Sequence, residues 1–93
     1  MNVEWDGVKA ATNLQKHGVT FEEARSVFGD PLAFIFDDLN HSGEETREII
    51  VGHSDRHRLL LVSFTERLEA VRIISARPAT KQEQRDYEQN APL

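Results

Sequence analysis

Arginines at positions 67, 72 and 77 fall five residues apart in LLLVSFTERLEAVRIISAR, the stretch from Leu59 to Arg77. That stretch otherwise reads as two apolar strands joined by a short polar turn, and a structural hairpin has no need of them. Arginine holds its charge at any ordinary pH, and its planar fork grips phosphate oxygens at two points. Breaking a phosphodiester by hydroxyl attack makes three demands. The attacking hydroxyl must lose a proton, the leaving oxygen must gain one, and the crowded phosphate must be surrounded by positive charge. Arg67, Arg72 and Arg77 suit the last demand if they converge. In an unbroken strand Arg72 and Arg77 would point to opposite faces, because side chains alternate along it. Convergence therefore requires a bulge between them, or a strand end before Pro78. The plain alternative is that each arginine pairs with Glu66, Glu69 or an acid of the last helix.

Proton carriers are fewer. Glu66 can serve as a general base or as an anchor for its neighbour Arg67, and anchoring is the commoner use. His17 sits at the end of a helical stretch, where the carbonyl end attracts positive charge, so it is the best imidazole candidate for a proton donor. Its structural alternative is a bond to the last helical carbonyls. Lys16 has the same two readings. With Arg47 and Tyr87 it completes the candidate substrate contacts, Tyr87 by stacking on a base or offering its hydroxyl. Packing its helix onto the sheet is the ordinary role of such a tyrosine.

Two metal readings fail on their own terms. Asp38-x-Asn40-x-Ser42-Gly43 matches the first half of a calcium loop, but position 12 is Ile49 rather than a bidentate acid, and the flanks read as strands. His53-x-Asp55-x-His57 occupies a hairpin turn with no fourth ligand nearby. No metal and no cofactor is expected.

These residues need elements to carry them. Val3 and Trp5 alternate with Glu4 and Asp6, which predicts a short opening strand. Asp6 then caps a helix over 7–16, with Val8, Ala11 and Leu14 as its buried side and Gly18 as its stop. Thr20 and Glu23 form a capping box for a second helix over 21–28, halted at Gly29-Asp30-Pro31. Strands follow over 32–36, 48–52, 59–65 and 70–77. A second capping box, Thr80 with Glu83, opens a helix to about residue 89. The expected architecture is α+β: a four-stranded antiparallel meander, with residues 3–5 available as an added edge strand. The N-terminal helical hairpin and the C-terminal helix should pack on one face. The apolar run at 59–62 marks its strand as central.

At 93 residues the chain is expected to form one domain over 1–93, with a modest core. Without cysteine, disulfides and cysteine-held zinc are excluded. The first residues lack an apolar run able to act as a signal peptide or membrane span, which points to the cytoplasm. The net charge of −5 argues against a free-standing nucleic-acid binder. Yet between positions 47 and 77 six arginines face four carboxylates, a local basic excess in an acidic chain.

Three blocks carry a family likeness: WDGVKAATNLQKHGVTFEEARSVFGDPLA from Trp5, TREIIVGHSDRHRLLLVSFTER from Thr46 and VRIISARPATKQEQRDYE from Val71. They resemble the BrnT family of type II toxins over nearly the whole chain. Matching motifs include Trp5-Asp6, Lys9, Asn13, Lys16-His17-Gly18, Asp30-Pro31, Arg47, Thr65-Glu66-Arg67, Arg72 and Ser75-Ala76-Arg77. His57 departs from the pattern, where the turn more usually has glycine. The resemblance implies a RelE-like fold and a ribonuclease that restrains translation. It also implies neutralisation by a BrnA antitoxin with a ribbon-helix-helix domain, the toxin–antitoxin complex repressing its own operon through antitoxin contacts to operator DNA. Two functions are therefore weighed. One is a metal-independent endoribonuclease using 2′-hydroxyl attack, with Arg67, Arg72 and Arg77 on the phosphate and His17 or Glu66 moving protons. The other is a non-catalytic interaction module that binds a DNA-binding partner and tunes its repression.

Overall fold

The computed structural model describes residues 1–39 and 46–90. Most of the calcium-loop stretch, set aside above on its ligand set, lies outside those residues. Along the chain come β1 (Asn2–Trp5), α1 (Gly7–His17), α2 (Phe21–Ser26) with a 3₁₀ turn at Val27–Gly29, β2 (Phe34–Asp37), β3 (Glu48–His53), β4 (Leu59–Arg67), β5 (Ala70–Pro78) and α3 (Lys81–Asn90). None of these helices is long and apolar enough to cross a membrane.

The sheet has five strands in the order β1-β5-β4-β3-β2, with β4 central as the ungapped run at 59–62 implies. Strands β2 to β5 form the antiparallel meander, and β1 joins as an edge strand running parallel to β5. The sheet is therefore mixed. A parallel neighbour needs a crossover, and α1 through β4 supply it.

One face of this sheet is the core. Val19, Phe21, Ala24 and Val27 from the helical hairpin pack against Ile50, Leu60, Val62, Phe64, Val71, Ile73 and Ala76. Each large side chain taken fully from water here stabilises by about 1.5–3 kcal/mol. Val3 and Trp5 join this cluster, Trp5 edge-on to Phe21 at 6.0 Å. The expectation that all helices share one face is corrected: α1 and α2 cover the Val62 face, while α3 lies on the opposite one. Tyr87 of α3 packs edge-on against Phe34 and His53, which point away from the main core.

The inward side of α1 also differs from the periodicity reading. Val8 and Leu14 are exposed, and Asn13 is the residue that is buried. Its amide donates to the carbonyls of Val19 (3.0 Å) and Ala76 (2.8 Å), and its oxygen accepts from the Ala76 N–H (3.0 Å). Since β1 pairs only with Ala70 to Ile73, Asn13 gives Ala76 the hydrogen bonds a strand neighbour would have given. An apolar side chain there would leave both Ala76 backbone groups buried and unpaired, a cost of about 1–3 kcal/mol each, and would also remove the bond to the Val19 carbonyl.

Glu23 makes only half of its capping box. Thr20 Oγ accepts from the Glu23 N–H at 3.1 Å, but the buried Glu23 carboxylate turns away to the Arg58 guanidinium and the Ser54 hydroxyl. Arg58 also donates to the Gly18 carbonyl at 3.1 Å, so the β3–β4 turn is tied to both ends of the helical hairpin's linker. Arg58 and Ser54 hold the Glu23 carboxyl below its ordinary range against the opposing effect of burial. In that same turn His57 takes the left-handed conformation, φ 62°, which glycine adopts at least cost. Gly52 nearby is required by a close approach: a Cβ would lie 2.8 Å from the Ala33 Cβ.

Removing Arg58 strands a buried carboxylate. Arg58→Ala should lower stability by about 2 kcal/mol, less than a wholly buried pair would lose because the Arg58 side chain is 37% exposed. Urea unfolding would read this, with Arg25→Ala on the exposed side of α2 as the near-neutral comparison.

Candidate functional site

Register decides which side chains meet. In β5, Ser75 pairs with Ser63 and Ile73 with Phe64, which leaves Ile74 as an extra residue: a β-bulge. Val71, Ile73 and Ala76 consequently share the core face, and Arg72 and Arg77 share the other. The bulge that convergence required is present.

The face away from α1 and α2 has two halves. One row runs Arg77, Leu61, Val51 and Phe34 across four strands, and the next runs Ser75, Ser63, Ile49 and Phe36. The apolar ends of these rows lie beneath α3, leaving a groove of about 550 Å³ among Phe34, Phe36, Val51, Leu61 and Tyr87. The third row runs Glu4, Arg72 and Thr65 from β1 to β4, with Arg67 two residues beyond Thr65 on the same face. Arg47, the residue before β3, continues this row, because the ladder extends past the strand end in the Asp38 N–H to Arg47 carbonyl bond of 2.9 Å. Neighbours in such rows have Cβ atoms about 4.5–5.5 Å apart.

The arginines differ in what they already hold. Arg77 grips Glu83 of α3 with two parallel bonds of 2.7 and 2.8 Å. Glu83 also completes its capping box, accepting from the Thr80 N–H at 2.9 Å while the Thr80 hydroxyl accepts from the Glu83 N–H at 3.1 Å. Together Arg77 and Thr80 pull the Glu83 carboxyl down to about 2. Arg77 is thus a brace for α3 as well as a cation. Arg72 is half-buried, and among the described residues it makes no side-chain hydrogen bond or ion pair. Tyr87, expected as a substrate contact, is buried, and its hydroxyl donates to the Leu32 carbonyl at 3.3 Å. Its ring packs, as the ordinary reading had it. Burial and the Asp30 carboxylate push its hydroxyl pKa up.

Two expected partners of the arginines lie elsewhere. Glu66 alternates to the helix-covered face, where it stands near Glu48 and Asp37. Burial, then repulsion from Glu66 and Asp37, raises the Glu48 carboxyl above its ordinary value. Lys16 and His17 are exposed at the end of α1, one turn beyond the Asn13 side chain that bonds to the edge of β5 at Ala76. The sheet therefore separates Glu66 from Arg72 and Arg77. The residue that sequence reasoning missed is Glu4. The alternation of Val3 and Trp5 already turned Glu4 outward, but only the parallel pairing with β5 places it beside Arg72. At the end of β3, His53 Nδ1 stands 3.9 Å from Asp30, and among the described residues no group of three His, Asp or Glu side chains could hold a metal ion.

A mixed five-stranded sheet, helical on one face and bearing arginines on the open half of the other, defines an α+β protein of one recognisable kind. The family model described as the ribonuclease toxin BrnT of type II toxin–antitoxin systems matches residues 5–83, and the chain belongs to that family. A crystal structure of the ribonuclease toxin BrnT of Brucella abortus is 26% identical, with a TM-score of 0.68 over 87% of this chain and 99% of that one. A comparison with curated proteins found no match. The family's members are ribonuclease toxins, and a type II system implies an antitoxin partner.

The Arg77–Glu83 brace gives a pH dependence with a definite sign. Glu83 is depressed in the folded protein from an ordinary value of 4.5 to about 2. Its contribution is fully present above 4.5 and is lost as pH falls towards 2. Tyr87 is the chain's one tyrosine. Its ring NMR signals should therefore move towards unstructured positions through that window, and in Glu83→Ala they should lie closer to those positions already at neutral pH.

Proposed function

We propose that this chain is a metal-independent endoribonuclease that restrains translation, and that the open half of its sheet is where RNA binds. We read the fold as RelE-like. In this account a BrnA-like ribbon-helix-helix antitoxin neutralises the toxin, and operator DNA is met only through that antitoxin. The observation that carries the reading is Arg72, a half-buried guanidinium without a protein partner among the described residues, in one row with Thr65 and continued by Arg47. A cation held by strands on both sides is prepared for a phosphate before one arrives, and fixed charge of this kind stabilises a crowded phosphate most where water is partly excluded.

The reaction follows from that placement. RNA lies across the open half with its scissile phosphate on Arg72, while Arg67 and Arg47 contact flanking phosphates. The 2′-hydroxyl of the preceding ribose attacks phosphorus, the bond to the 5′-oxygen breaks, and the strand ends in a 2′,3′-cyclic phosphate. Arg77 borders the site and keeps α3 over the apolar half. Its pairing with Glu83 supports a positioning role for it. Glu66 would reach a substrate only from the other face, so the proton acceptor is sought beside Arg72.

Arg72→Ala should lower RNA cleavage by the purified chain about 10²–10³-fold, the usual cost of one transition-state donor. The same substitution should relieve growth arrest on expression of the toxin alone. Soluble expression of the unsubstituted chain with neither arrest nor RNA loss would favour the non-catalytic interaction module instead.

A further inference from the structure

We propose that Glu4 is the general base that takes the proton from the RNA 2′-hydroxyl. This inference rests on the reading of the open sheet half as the RNA site. Three observations carry it. Val3 and Trp5 are packed into the core on one side of β1, which forces Glu4 between them to the opposite side. The parallel register then sets Glu4 directly beside Arg72, in the same row as Thr65. Glu4 and Arg67 also share the wall of an open hollow of about 760 Å³ at the end of the β4–β5 turn. Among the described residues Glu4, like Arg72, makes no side-chain hydrogen bond or ion pair. Its carboxylate is exposed rather than spent on the fold.

A phosphate gripped by Arg72 brings its own ribose within reach of the next strand over. The geometry of adjacent strands fixes that spacing at about 4.7–4.9 Å, enough for a carboxylate beside the cation to meet a hydroxyl on the carbon next to the one whose oxygen carries the phosphate. Candidates elsewhere do not reach it. Glu83 is held by Arg77, Glu66 lies across the sheet, His17 is at the far end of α1 from β1, and Ser63, Ser75 and Thr65 are not bases at neutral pH.

The step balances as follows. A Glu4 carboxylate oxygen takes the proton from the 2′-hydroxyl, and the freed oxygen lone pair forms the new bond to phosphorus. The phosphorus to 5′-oxygen bond breaks with its electron pair going to oxygen, and that oxygen takes a proton from solvent water. Glu4 then returns its proton to water. No oxidant, reductant or further reactant is needed.

The test uses the purified full chain, an RNA it cleaves, and the same RNA with a single 2′-deoxy residue at the scissile position as an uncleavable probe. Glu4→Gln should lower kcat about 10²–10⁴-fold, the range for removing a positioned base. It should bind the 2′-deoxy probe as tightly as the unsubstituted chain or more tightly, since a negative charge has been removed. Arg72→Ala, by contrast, should weaken probe binding. Full cleavage by Glu4→Gln, with the unsubstituted chain active, would overturn the assignment alone. Loss of cleavage together with loss of probe binding would also overturn it, in favour of a role in holding Arg72. An unsubstituted chain that cleaves no RNA would overturn both this inference and the function on which it rests. Glu4→Asp guards against misfolding: it keeps the carboxylate, and should retain more activity than Glu4→Gln.

Discussion

One extra residue in β5 determines what this sheet can do. Were Ile74 not bulged out of register, Arg72 and Ala76 would share one face, and Arg77 would be driven into the helix-covered core. With the bulge, Val71, Ile73 and Ala76 form a continuous apolar surface for α1 and α2, while both arginines turn to the other side. A bulge disrupts the ladder locally, and the disruption has to be offset. Asn13 supplies that offset close by, bonding both backbone groups of Ala76 just past the bulge. The helical hairpin thus stabilises the strand irregularity that gives the opposite face its charge.

Polar ties between helices and the sheet recur throughout the fold. Asn13 joins α1 to β5, Glu23 joins α2 to the β3–β4 turn, and Glu83 joins α3 to β5. Each ties a helix to the sheet or one of its turns by hydrogen bonds with fixed geometry, where apolar contact alone would allow sliding. A small core makes such ties valuable, because it leaves little packing to define a single arrangement. The arginines sort accordingly: Arg58 and Arg77 hold helices in place, while Arg72 is held in place and left available.

Local structure was readable from the sequence because it rests on local rules. The capping residues, the stop at Gly18, the meander and the central place of β4 all follow from spacing and turn chemistry. The alternation of Val3 and Trp5 likewise predicted β1. What could not be read depends on contacts far apart in the chain. Helical periodicity favoured Val8 and Leu14 as the buried side of α1, because it cannot know that Ala76 needs a partner and that Asn13 provides one. The capping-box pattern at Glu23 was right about the helix start and silent about Arg58, 35 residues on. The parity of Arg72 and Arg77 identified the need for a bulge without placing it. Glu4 escaped notice because a parallel neighbour is set by the crossover and leaves no mark in the nearby sequence. The family blocks name these candidates together, yet Glu66 lies across the sheet from Arg72, and Lys16 and His17 stand at the far end of α1 from β1.

The central claim is that RNA lies on the open half of the sheet, away from the helical hairpin. Backbone NMR of the chain titrated with RNA that is 2′-deoxy at the scissile residue tests it most directly. The account predicts that the largest shifts fall on Asn2, Glu4, Thr65, Arg67 and Arg72, with Lys16, His17 and Glu66 little changed. Shifts centred on the end of α1 and on Glu66, with β1 unmoved, would contradict it.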